Sequence, residues 1–103
     1  LRFLQPCLLL LLRGGPAHGY ALHAELEQFG FDPERLDATL VYRALREMEA
    51  LGWTVSHWDE DSLGPRRRVY ELTESGEGQL ARMTADLRQT IERIRRILAV
   101  YDS

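Results

Sequence analysis

The sequence predicts a mainly α fold with one small β-hairpin, on three observations. Apolar residues recur at three- and four-residue spacing through most of the 103 residues. Between Trp53 and Leu72 the period drops to two on either side of a Gly-Pro turn. From Leu80 to Tyr101 an apolar residue returns at every seventh position, which marks one long helix.

The first helix is expected to begin at Pro6, whose missing N–H is harmless in a first turn, and to stop at Gly14-Gly15-Pro16. Leu8 to Leu12 is apolar all round, so this helix should be buried on more than one side, in its own core or against a second subunit. His18 to Phe29 reads as the second helix, with Tyr20 or Ala21, Leu22, Leu26 and Phe29 inward and Gly30 as its C-cap. FDPERLD at 31–37 is a turn that ends on Asp37, a good N-cap.

The third helix, TLVYRALREMEALGW at 39–53, is two-faced. Val41, Ala44, Leu45, Met48 and Leu51 fall on one apolar stripe, while Thr39, Arg43 and Arg46, with Tyr42 at the margin, fall on the other. An ordinary amphipathic helix with a solvated face shows this pattern too, so its neighbours have to decide. After Gly52, Trp53, Val55 and His57 alternate with Thr54, Ser56 and Trp58, and Arg68, Tyr70 and Leu72 alternate with Val69 and Glu71 across the loop DEDSLGPR. Thr73 or Ser75 caps the last helix. Its seam is Leu80, Met83, Leu87, Ile91, Ile94, Ile97, Leu98 and Tyr101, longer than a small domain covers, and predicts a second subunit.

Two helices joined by a short turn, the second bearing outward arginines and followed by a hairpin, make a winged helix-turn-helix over 1–73, with a dimerisation helix over 74–103. The overall balance, net charge −3 and pI near 5.6, argues against indiscriminate coating of nucleic acid. All 13 basic residues are arginine; genome composition produces that bias as readily as phosphate recognition does, so local clustering at Arg66, Arg67 and Arg68 carries more weight. Cys7 has no internal disulfide partner, which fits a reducing cytoplasm, and CLLLLL is far too short to span a membrane. The chain starts without an initiator Met, so residues ahead of Leu1 are expected. His18, His23, His57 and Cys7 lack the spacing of a zinc motif, and no metal or cofactor is expected. No nucleophile with a base, phosphate-cradling loop or paired carboxylates points to an enzyme.

Three blocks, GPAHGYAL at 15–22, VYRALREMEALGW at 41–53 and GPRRRVYELTESGE at 64–77, resemble the PadR family of bacterial transcriptional regulators in content, order and spacing. The wing segment GPRRRVY after SHWD is similar to the short branch of polyhydroxybutyrate-responsive repressors. The resemblance implies a homodimeric winged helix-turn-helix repressor, paired through its first and last helices, that leaves its operator when an effector binds. Many members carry Ser or Thr directly before the apolar residue and Tyr of the third helix; here Leu40 takes that place and Thr39 stands one earlier, still on the outer face.

The expected DNA contacts are Thr39, Tyr42, Arg43 and Arg46 from the helix and Arg66 and Arg67 from the wing, because arginine pairs bidentately with guanine and also neutralises phosphate. Arg68 alternates away from Arg67 and is assigned to a strand-face ion pair. Leu8 joins the seam residues named above in the expected dimer contact. The partners are thus a double-stranded, palindromic operator, a second copy of the chain and an unknown small-molecule or polymer effector, with no membrane. The competing reading is a dimeric winged-helix module that binds protein and has no specific DNA target.

Overall fold

The computed structural model describes residues 3–60, 64 and 66–103. Much of the expected loop, Asp61, Ser62, Leu63 and Pro65, lies outside the described residues. The elements in chain order are α1 (Leu4–Arg13), β1 (Ala17–His18), α2 (Gly19–Glu25), a 3₁₀ turn (Leu26–Phe29), α3 (Ala38–Ala50), β2 (Thr54–Asp59), β3 (Arg67–Leu72) and α4 (Glu74–Tyr101). The mainly helical fold with a hairpin and a long last helix is the architecture expected from the sequence.

The core forms where α1 crosses the helix-turn-helix. Leu8 and Leu9 of α1, Leu22, Leu26, and Val41, Leu45 and Met48 of α3 are wholly enclosed. Each such aliphatic side chain contributes about 1.5–3 kcal/mol by leaving water, which is why α1 must be apolar nearly all round. Tyr70 of β3 and Leu80 of α4 close the cluster from the sheet side.

Local chemistry sets the element ends. Asp37 accepts a hydrogen bond from the Thr39 amide at 2.9 Å, capping α3. Thr73 caps α4 in the same way, accepting from the Gly76 amide at 3.0 Å. In the turn before α3, His23 Nε2 donates to the Leu36 carbonyl at 2.8 Å and ties the turn to α2. That bond gives His23 a structural role.

Three expectations change here. The helix read over His18 to Phe29 is broken: His18 is drawn into β1, which pairs antiparallel with β3 through His18 and Val69, and the last turn tightens to 3₁₀. Only Leu22 and Leu26 of the expected inward set are buried; Tyr20 is 74% exposed and Phe29 is exposed, because Gly19 is the residue that faces α3. A Cβ at Gly19 would stand 2.5 Å from Tyr42 Cε1, so the Tyr42 ring covers the glycine and turns Tyr20 outward. Leu51 also leaves the expected stripe, 58% exposed, because α3 ends at Ala50 and the chain reverses at Gly52 with φ 82°. Trp53 packs against the core in its place.

The sheet has three strands in the order β1-β3-β2. In the hairpin Thr54 opposes Leu72, Ser56 opposes Tyr70 and Trp58 opposes Arg68, so these six share the face turned to the helices. The 28-residue α4 is about 42 Å long, and the protein measures 59 × 31 × 20 Å because that helix runs past the body. Among the described residues no helix is long and apolar enough to cross a membrane.

Candidate nucleic-acid interface

The exposed arc of α3 has two edges. Successive residues advance by ~100°, so Tyr42, Arg46 and Glu49 form one edge and Thr39, Arg43 and Glu47 the other. All but Glu49 are exposed. The first edge faces the wing: Tyr42 lines a notch of about 400 Å³ with His18, Gly19, Tyr20, Arg66, Arg67, Arg68 and Tyr70. The second edge faces the start of α1, where Arg43 lines a groove with Phe3, Gln5, Pro6 and Leu40.

The structure therefore brings Tyr42, Arg66 and Arg67 to one notch, with Arg46 one turn along from Tyr42 and Arg43 further round the helix. Thr39 is exposed at the first turn of α3, its amide held by the cap. Among the described residues no carboxylate pairs with Arg43, Arg46 or Arg67, so the three guanidinium groups stand ready for an outside acceptor. Arg66 lies 3.7 Å from Glu60, both well exposed, an ion pair of little strength that a phosphate can displace.

Arg68 departs from expectation. In place of a strand-face ion pair it donates from Nε to Ser56 Oγ at 2.7 Å and lies over the Trp58 ring, 4.9 Å from its centroid. The register sets this up, because Trp58 is its direct cross-strand partner and Ser56 the diagonal one. His18, beside the notch, reaches Asp59 Oδ2 at 3.1 Å and joins β1 to the end of β2. Burial pushes the Tyr70 phenol above its ordinary range, Glu49 adds to the shift, and Arg68 and Arg46 oppose it. These charges from α3 and β3 thus meet around one buried ring.

Sequence reasoning left Tyr20 or Ala21 as the inward residue and so missed Tyr20 as a site residue: Ala21 is the half-buried one, and Tyr20 lines the notch beside Tyr42. The signal was the adjacent glycine: a residue without a side chain is where a second helix approaches.

The residues expected to pair subunits divide into two groups. Leu8 and Leu80 are enclosed in the protomer's own core and have no surface to offer a partner, a correction to the expected contact set. Met83 and Leu87 are half-buried at the edge of the body. Ile91, Ile94, Ile97, Leu98 and Tyr101 are exposed along the free length of α4, from 48% at Ile94 to 85% at Tyr101.

An arginine-bearing helix after a helical turn, a basic wing beside it and a long apolar-seamed helix behind are the parts of a winged-helix regulator. The chain belongs to the transcriptional regulator PadR-like family, whose family model matches residues 8–82. Solved structures agree. The chain is 30% identical, over 98% of its length and 92% of the other chain, to a conserved protein of unknown function solved as a potential transcriptional factor, with a TM-score of 0.78. A PadR family regulator from Eggerthella lenta is 27% identical over 88% of this chain and 80% of its own, with a TM-score of 0.74. PadR of Bacillus subtilis, solved with operator DNA, shares the fold at 22% identity and a TM-score of 0.69, covering 81% of this chain and 47% of its own. No curated protein matches the sequence.

Proposed function

We propose that this regulator is a homodimeric, sequence-specific DNA-binding repressor of the cytoplasm, released from a palindromic operator by an effector. One observation carries the DNA reading: Tyr42 of α3 lines one notch with Arg66 and Arg67 of the wing, and Arg46, one turn along the same edge, and Arg67 have no carboxylate partner among the described residues while Arg66 is only weakly paired. Arg43 and Arg46 read base edges in the major groove, Thr39 and Tyr42 contact the adjoining backbone, and Arg66 and Arg67 neutralise phosphates. The same fold in PadR of Bacillus subtilis, solved with operator DNA, supports the DNA-binding reading.

In this reading residues 1–73 form the DNA-binding unit and 74–103 the pairing helix. Two α4 helices meet along Met83, Leu87, Ile91, Ile94, Ile97, Leu98 and Tyr101, which sets two copies of α3 about one DNA turn apart. An effector at that interface acts through its different affinity for the two spacings.

The test is fluorescence anisotropy with duplexes from the chain's own upstream region, titrated with salt. Arg43→Ala and Arg46→Ala should each leave folding intact and lower operator affinity by about 5- to 150-fold, the ~1–3 kcal/mol of a bidentate arginine contact. Unchanged affinity in both would refute the assignment. An absence of specific binding at physiological salt favours a protein-interaction module instead.

A further inference from the structure

Under the wing, side chains from three elements form one hydrogen-bonded chain. Ser56 of β2 donates its hydroxyl to Glu49 Oε1 of α3, and Ser56 Oγ in turn accepts from Arg68 Nε of β3 at 2.7 Å. All three side chains are half-buried. A hydroxyl carries one proton and two lone pairs, so it can donate to a carboxylate while accepting from a guanidinium. Both bonds have a charged partner, and such bonds are about twice as strong as neutral ones. Arg68, so held, lies over the Trp58 ring, and an arginine over an aromatic face gains further when partly desolvated.

The position of this chain of bonds matters as much as its strength. Glu49 is on the wing-facing edge of α3, one turn beyond Arg46 and two beyond Tyr42. Arg68 follows Arg66 and Arg67 directly in sequence. The bridge therefore joins the reading edge of the helix to the root of the basic wing.

We infer that Ser56 is a positioning residue for DNA binding. Its hydroxyl, held by Glu49, fixes Arg68 over Trp58 and so sets the wing at the angle where Arg66 and Arg67 meet the same duplex as Tyr42 and Arg46. Of the three consecutive arginines, two face the nucleic acid and the third braces them. The inference rests on the DNA-binding reading above.

The test uses the full chain labelled with 5-fluorotryptophan, which gives two ¹⁹F resonances, for Trp53 and Trp58, assigned by Trp58→Phe. Ser56→Ala should shift the Trp58 resonance and leave that of Trp53 in place. It should also reduce the slope of log affinity against log salt for the upstream duplex, by about one for each phosphate that the wing no longer neutralises. Ser56→Thr, which keeps the hydroxyl, should restore both. Glu49→Ala removes the acceptor from the other end and should reproduce both changes, which keeps the test decisive if Ser56→Ala folds poorly. A folded Ser56→Ala protein with an unmoved Trp58 resonance, or with the wild-type salt slope, overturns the inference while the DNA reading stands. Failure of the wild-type protein to bind any upstream duplex specifically overturns both.

Discussion

Gly76 and Gly78 sit two residues apart in the first turns of α4, and the same substitution should act on them with opposite sign. Helix propensity alone favours Ala over Gly by about 1 kcal/mol at either place. At Gly78 nothing opposes that gain, since an added Cβ would meet only Arg82 Nη1, at 3.9 Å. At Gly76 the Cβ would fall on the Trp53 carbonyl oxygen, with Leu72 Cδ1 at 2.7 Å. That carbonyl accepts the Thr73 amide at 3.1 Å and cannot swing aside without breaking the bond. Overpacking of about 1–3 kcal/mol and a broken hydrogen bond of about 1 kcal/mol outweigh the propensity gain. Gly76→Ala should therefore destabilise by about 1–3 kcal/mol, and Gly78→Ala should stabilise by up to ~1 kcal/mol. Urea denaturation followed by circular dichroism, at one fixed protein concentration because the proposed pairing would contribute to stability, measures both. A Gly76→Ala protein as stable as the parent would refute the close approach of α4 to the end of α3.

Three further outcomes follow from buried groups. Thr54 is enclosed, its Oγ1 unpaired among the described residues, so Thr54→Val should keep or raise stability by up to about 1 kcal/mol in the same urea assay. Burial pushes the Cys7 thiol above its ordinary range; a thiol reagent at neutral pH should label it only as fast as the protein opens, and rapid labelling of native protein would contradict its place in α1. Tyr70 also has a raised value, so its contribution to stability is intact below the ordinary phenol value of about 10. It falls as pH rises beyond that, because the unfolded chain ionises first. A phenol absorbance titration should show a late-ionising step, which Tyr70→Phe should remove.

The parts legible in the sequence were those written in local chemistry. Asp37 announces a helix start by residue type alone, Thr73 or Ser75 announces the next and the fold selects Thr73, the period-two stretches announce the hairpin, and the seven-residue spacing from Leu80 announces α4. The rest depended on neighbours distant in the chain. β1 has two residues, too few for any period, and exists because β3 offers a free edge. Tyr20 has the spacing of a core residue, but the Tyr42 ring over Gly19 decides the packing of α2. Leu8 and Leu80 continue the apolar patterns from which a partner-facing surface was expected, and only the crossing of α1 with α4 and the sheet shows them to be interior. The arginine run shows that charge gathers at the wing; that Arg68 turns inward follows from its cross-strand register with Trp58.

The residues that follow α3 and the start of α4 meet at Gly52, Trp53 and Thr73. Thr73 donates its hydroxyl to the Gly52 carbonyl at 2.6 Å and its amide to the Trp53 carbonyl at 3.1 Å. Trp53 in turn donates its amide to the Met48 carbonyl, inside α3, at 3.0 Å. Gly76 rests against the same Trp53 carbonyl, so no side chain separates the two backbones. These bonds, two from the backbone and one from the Thr73 hydroxyl, tie the start of α4 to the residues that follow α3, so swinging one away from the other costs several of them at once. In the proposed dimer the ~42 Å α4 is a lever, through which a small change in how two such helices cross becomes a larger displacement of the arginines on α3. Effector control of the proposed kind needs no hinge inside the protomer. It needs only two ways of packing the exposed stripe from Ile91 to Tyr101.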